Sequence, residues 1–232
     1  MTTSAAAKPR IVQATRHASL RSQVQEILRA SILNGELEVG EHLIERELCE
    51  ATGVSRPVLR EAMAHLEARG LIERVPARGF VVATPSVERV PRIYEVRAAL
   101  EGLAAQCFAE RASDADVQAL CESCERLLEA LADGSRAAIR EMTTRFYDIL
   151  MDRCGNPEIR IALEPILDRV AFLRSQSVSM PGRRKKSAQE MRAIIEAITR
   201  RDSARAKQAS VDHISNACDA ALEQLRQSAD NG

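Results

Sequence analysis

Apolar residues recur at helical spacing along almost the whole chain, with one interruption. From Ser19 onward, Leu20, Val24, Ile27, Leu28 and Ile32 form the stripe of an amphipathic helix that Gly35 closes. The stretch from His42 to Val82 changes rhythm and predicts two short helices, a tight turn and a β-hairpin. Leu43, Ile44 and Leu48 give the first of these helices an apolar face, and Gly53 supplies a left-handed corner. Ser55 is placed to cap the second helix, and Pro57 falls in its first turn, where a missing N–H costs nothing. That helix buries Val58, Leu59, Ala62, Met63 and Leu66, carries Arg56, Arg60 and His65 on its other side, and stops at Gly70. Two alternating runs, residues 71–75 and 79–82, flank Pro76-Ala77-Arg78. Helix, turn, helix and wing in that order predict a head that reads double-stranded DNA.

Beyond the joint Thr84-Pro85-Ser86 every segment returns to a helical period. The first stripe is Ile93, Val96, Leu100, Leu103 and Cys107. The second, capped by Ser113 with Asp116, is Val117, Leu120, Cys124, Leu127 and Leu131. Ile139, Met142, Phe146, Ile149 and Leu150 make the third, and Asn156-Pro157 opens a fourth that kinks near Pro165. Pro181-Gly182 ends the fourth, and Arg183 to Lys186 reads as a solvated loop. The fifth carries Met191, Ile194 and Ile198. The sixth is capped by Asp202 and carries Ile214, Cys218, Leu222 and Leu225. With no sheet to cover, six such helices must pack on one another. The fold expected is mainly α. Residues 17–84 form a winged helix-turn-helix with a small hairpin wing, and residues 85–228 form an all-α six-helix bundle. Flexible tails are expected at 1–16 and 229–232.

Composition agrees with this and removes some alternatives. Aromatics are 3% of 232 residues, which suits helices better than sheets. Formal net charge is zero; residues 1–85 hold 11 Lys+Arg against 10 Asp+Glu, the remainder 22 against 23. DNA affinity must therefore come from the placement of particular arginines, not from bulk charge. The polar N-terminus has no leader pattern and no run approaches a membrane span, so a reducing cytoplasm is the expected compartment and no membrane partner is expected. Six cysteines fit that compartment as thiols among helices. Cys121 and Cys124 sit at i,i+3 spacing, which a helix explains without a metal.

The segment ERELCEATGVSRPVLREAMAHLEARGLIERVPARGFVV resembles the DNA-binding domain of the GntR family of bacterial transcription regulators. One departure is Val39-Gly40, where the family usually has Pro-Gly. Downstream, Tyr94-Glu95-Val96-Arg97 with Leu100-Glu101, Phe146, Gly155-Asn156-Pro157, Ala197-Ile198 and Asp212-His213 resemble the FCD effector domain of the FadR-type branch. The resemblance implies a homodimer that binds a palindromic operator and acts as a repressor under control of a small metabolite. It assigns DNA contact to Arg46, Ser55, Arg56, Arg60, His65, Arg78 and Gly79. A second reading keeps the DNA head and gives the bundle a dimerising or protein-binding role without ligand. Nothing in the chain resembles a catalytic set, and no enzyme is expected.

Many members of that branch hold a divalent metal inside the bundle with one aspartate and three histidines. The matching positions here are Thr143, Tyr147, Met191 and His213. A hydroxyl, a phenol, a thioether and one imidazole are poor joint ligands, so no metal and no other cofactor is expected. An effector pocket lined by Arg97, Thr143, Tyr147, Met191 and His213 remains. Each also has a bland reading: Thr143 and Tyr147 as core hydrogen-bonders, His213 as a satisfied buried imidazole, Arg97 as the i,i+4 partner of Glu101. By resemblance the effector is an organic acid; the neutral hydroxyls point to one less anionic than ligands held through a metal.

Overall fold

The computed structural model describes residues 19–133, 135–177 and 182–230. The expected tail at 1–16, the stop at Gly134 and the break at Pro181 lie outside these; the expected tail at 229–232 is corrected in its first two residues, which continue the last helix to Asp230, and its last two lie outside the described residues. Helix α1 (Leu20–Asn34) starts on Ser19, whose hydroxyl accepts from the Ser22 N–H, and ends on Gly35 at φ +76°. Helices α2 (Glu45–Thr52) and α3 (Arg56–Ala68) meet at Gly53, whose φ of +70° makes the corner. Val24, Leu28 and Ile32 of α1 pack against Leu59, Ala62, Met63 and Leu66 of α3 as the core of the head.

The wing is a three-stranded antiparallel sheet, not a lone hairpin. Strands β1 (His42–Leu43), β2 (Ile72–Val75) and β3 (Gly79–Val82) lie in the order β1-β3-β2. Leu43 pairs with Phe80 and points into the core, so it belongs to a strand and not to the helical face expected of it. Ile44 is the exposed residue before α2. A two-residue strand is shorter than any periodicity can register.

The C-terminal half consists of α4 (Arg89–Arg111), α5 (Asp114–Asp133), α6 (Arg136–Asp152), α7 (Pro157–Leu163), α8 (Leu167–Ser177), α9 (Arg183–Thr199) and α10 (Ser203–Asp230). The fourth expected helix is divided: Pro165 sits in a 3-10 turn, Glu164–Ile166, between α7 and α8. Ser113 with Asp116, Asn156 and Asp202 cap as expected. The run from Arg183 to Lys186 is the start of α9 and not a loop. Arg183 is buried against Glu190 with a 2.8 Å ion pair. Phe108, Leu120, Phe146, Leu150, Leu163 and Ile198 form the middle of the bundle.

Helix α8 joins the two halves. Its Phe172 belongs to the core of the head rather than to the bundle. Burying one such side chain stabilises the junction by about 1.5–3 kcal/mol.

Candidate nucleic-acid interface and effector cavity

Helix α3 begins on Ser55, which has extended backbone at the cap position but makes no side-chain capping bond. The expected cap is thus present in backbone only. Arg56 and Arg60, four residues apart, share one exposed flank of α3. Arg60 donates to both oxygens of Glu45 on α2. Arg46, also on α2, lies 3.4 Å from Glu50 and 3.6 Å from Glu47. These are exposed pairs of small energetic weight, which a phosphate can displace. Arg78 is exposed at the wing turn, next to Gly79 at φ +78°. A Cβ at Gly79 would lie 3.5 Å from His42 Nε2, so His42 borders the wing. The structure separates His65 from this group. It sits in the last turn of α3, about 13 Å along the axis from Arg56 and on the other flank.

In the bundle, one cavity of about 70 Å³ is lined by all five residues expected there: Arg97, Thr143, Tyr147, Met191 and His213. It has room for roughly five water-sized groups. Arg97 both lines this cavity and pairs with Glu101. Fully buried, it bonds Glu101 at 2.9 Å and stacks 4.6 Å over the Tyr94 ring, while its Nη1 has no hydrogen-bond partner. Arg174 reaches Glu101 at 3.2 Å from the other side and lies 3.9 Å over the Tyr147 ring. Burial raises the Glu101 pKa, but Arg97 and Arg174 outweigh it and leave the carboxylate ionised. The Tyr147 hydroxyl has no partner of bonding geometry. Burial first, then the facing Glu101 charge, pushes its pKa up to about 12. His213 is buried with Nδ1 at 2.7 Å from Glu190; burial lowers its pKa despite that carboxylate, so it is neutral near pH 7.

Four further arginines line the same cavity: Arg136, Arg140, Arg174 and Arg183. Glu101 serves Arg97 and Arg174, and Glu190 serves Arg183 and His213. Among the described residues that line the cavity, the buried polar atoms without a hydrogen-bond partner are Arg97 Nη1, Arg140 Nε and the Tyr147 hydroxyl oxygen, and each group can donate. A buried donor without an acceptor is costly, and a ligand bearing acceptor oxygens removes that cost. Guanidinium groups, not the neutral hydroxyls on which the expectation of a less anionic ligand rested, dominate the lining.

Two family profiles cover most of the chain. The one described as bacterial regulatory proteins, gntR family, matches residues 20–82, and the one described as FCD domain matches residues 92–216. The chain belongs to the GntR family, with an FCD domain. It is a transcriptional regulator of that type. It is 28% identical to the Glc operon transcriptional activator of Escherichia coli K12, over 82% of this chain and 84% of that protein. It is 29% identical to the galactonate operon transcriptional repressor of the same organism, over 82% and 91%. In fold it matches a GntR regulator from Rhodococcus sp. RHA1 with a TM-score of 0.72 at 20% identity, covering 90% of this chain and 98% of that one.

The divalent metal that the resemblance implies for many members of the branch does not suit this chain. Its four matching positions offer a threonine hydroxyl, a phenol kept protonated, a thioether and an imidazole already bonded to Glu190. Five guanidinium groups around the cavity oppose a divalent cation electrostatically. Among the described residues no three His, Cys, Asp or Glu come together as a ligand set. Cys121 and Cys124 are free thiols on α5, with the Cys124 pKa pushed up to about 12 by burial and then by Cys121. No described helix is long and apolar enough to cross a membrane.

Reading the sequence alone missed Arg136, Arg140, Arg174, Arg183 and Leu33 as cavity residues. The arginines border apolar stripes in a chain where arginine is common, and Leu33 arrives from the head.

Proposed function

We propose that this chain is an operator-binding repressor, working in the cytoplasm as a homodimer on palindromic DNA and controlled by a small anion in the bundle cavity. The observation that carries the effector reading is the convergence of three unpartnered buried donors on one cavity that already holds more guanidinium than carboxylate. A carboxylate or phosphate of a few heavy atoms supplies the acceptors those groups lack. No metal is needed to bind it. Head residues Arg46, Ser55, Arg56, Arg60, Arg78 and Gly79 contact the operator, with Arg56 and Arg60 on base edges and the wing along the backbone. His65 stands away from that group and is given no base contact. Two heads related by a two-fold axis read two half-sites about 34–36 Å apart.

An activator and a repressor match this chain about equally well, because the sign depends on where an operator lies relative to a promoter. The boundaries 17–84 and 85–228 are retained as functional units. The test is selection of an operator from random DNA by the full chain, followed by transcription from a promoter overlapping it. Repression relieved by a small carboxylate or phosphate supports the reading. Transcription that no anion alters, with no heat of anion binding, returns the bundle to a purely dimerising role.

A further inference from the structure

Helix α8 has two working faces. Asp168 and Phe172, four residues apart, share the face turned to the DNA head. Ala171 and Arg174, three apart, line the cavity, and Ala171, which also packs against the core of the head, lies between the two faces. Asp168 is almost fully buried and receives two arginines of the head. Arg29 of α1 donates its Nε–H to Oδ1 at 2.6 Å, and Arg69, the cap residue just past α3, places Nε 2.6 Å from Oδ2 without hydrogen-bond alignment. Leu33 of α1 belongs to the core of the head and also lines the cavity. A ligand filling this cavity would meet α1 of the head and the arginine of α8 at once.

We propose that Asp168 is the positioning residue that sets the reading head against the bundle, and that α8 carries the state of the cavity to it. Arg174 is held now by Glu101 and by the Tyr147 ring. An anion in the cavity competes with Glu101 for Arg174 and moves the α8 backbone by its side chain. Asp168 lies on that helix within two turns of Arg174, so its grip on Arg29 and Arg69 shifts with it. A packed junction of this kind takes up discrete arrangements rather than deforming smoothly. The purpose given to this linkage rests on the effector reading above, but the linkage itself is testable without ligand or DNA.

The experiment is amide hydrogen exchange on the full chain, comparing the parent with Arg174→Gln, Asp168→Asn and the double variant. Arg174→Gln is expected to raise exchange in α8 and also in residues 28–33 and 62–69 of the head, by about fivefold or more. In the Asp168→Asn background the same change should reach α8 only. An effect of Arg174→Gln that stops inside the bundle overturns the proposal, and so does a head that still responds without Asp168. If Asp168→Asn does not fold, Arg69→Gln replaces it, since it leaves the carboxylate with Arg29 as partner; the Arg174→Gln effect should then persist in residues 28–33 and disappear from residues 62–69, and an undiminished effect in 62–69 overturns the proposal. Calorimetry of acetate and inorganic phosphate with the parent is run in parallel. Absence of heat there counts against the anion reading alone and leaves the exchange result standing.

Discussion

Arg60 of α3 donates its Nε–H to both carboxylate oxygens of Glu45 on α2, at 3.0 Å each. The arginine assigned to base reading is therefore already oriented by α2 in the DNA-free chain. The pair is solvent-exposed on the arginine side and contributes little to folding. It lowers the entropy lost when Arg60 meets a base. Arg60→Ala and Arg56→Ala should each weaken operator binding by about 1–3 kcal/mol and relax discrimination at one base position. Glu45→Gln should leave the melting temperature unchanged but reduce the ratio of specific to non-specific binding. Fluorescence anisotropy against operator and scrambled DNA checks all three. Parent-like binding by both arginine variants would show that this flank of α3 faces away from the groove.

The Tyr147 hydroxyl makes a sharper point because it faces the Glu101 carboxylate but meets no partner in hydrogen-bond geometry. Tyr147→Phe removes a buried, unsatisfied donor, so the ligand-free protein should be as stable as the parent or more so. Anion affinity should fall in the same variant. A loss of more than about 1 kcal/mol in urea unfolding would mean that the hydroxyl has a partner and the residue is core.

His213 gives a pH signature. Its folded pKa is lowered, chiefly by burial, so the unfolded chain binds the proton more readily. Stability then falls as pH drops below the unfolded value of about 6.5, and the fall continues down to the folded pKa. A melting series over that range should show the decline in the parent and a smaller one in His213→Gln. An identical slope in both proteins would assign the decline to other groups.

Five arginines around the cavity predict the response to chelation. Treatment with a strong chelator should leave the melting temperature where it was, and metal analysis of untagged protein should find no stoichiometric divalent ion. One ion per chain, lost on His213→Ala, would contradict the charge argument.

Most of this architecture was legible from periodicity and punctuation. Gly35, Gly53 and Gly70 mark the ends of helices in the head, and Ser113, Asn156 and Asp202 mark starts in the bundle. What escaped has a common cause. Leu43 fits a helical face as well as a strand, and only its pairing with Phe80 decides. Asp168 falls among apolar neighbours on α8, but its partners Arg29 and Arg69 are roughly a hundred residues or more away in sequence. Arg183 looked solvated inside a basic run, yet its partner Glu190 lies seven residues on and draws it inward. The five cavity residues taken from the family pattern do converge, because that pattern encodes positions. The charge of the lining does not follow from position, because it comes from Arg136, Arg140, Arg174 and Arg183, which lie outside that pattern.

The most direct test of the account is operator titration with and without small carboxylates and phosphate, on the parent and on Tyr147→Phe and Arg174→Gln. An effector of the parent should change operator affinity by roughly 5–150-fold, the range of ordinary allosteric coupling. In both variants that change should shrink to within about twofold, because each loses a group that holds the anion. A full response that survives both substitutions would place the effector elsewhere and leave this cavity as a charged core.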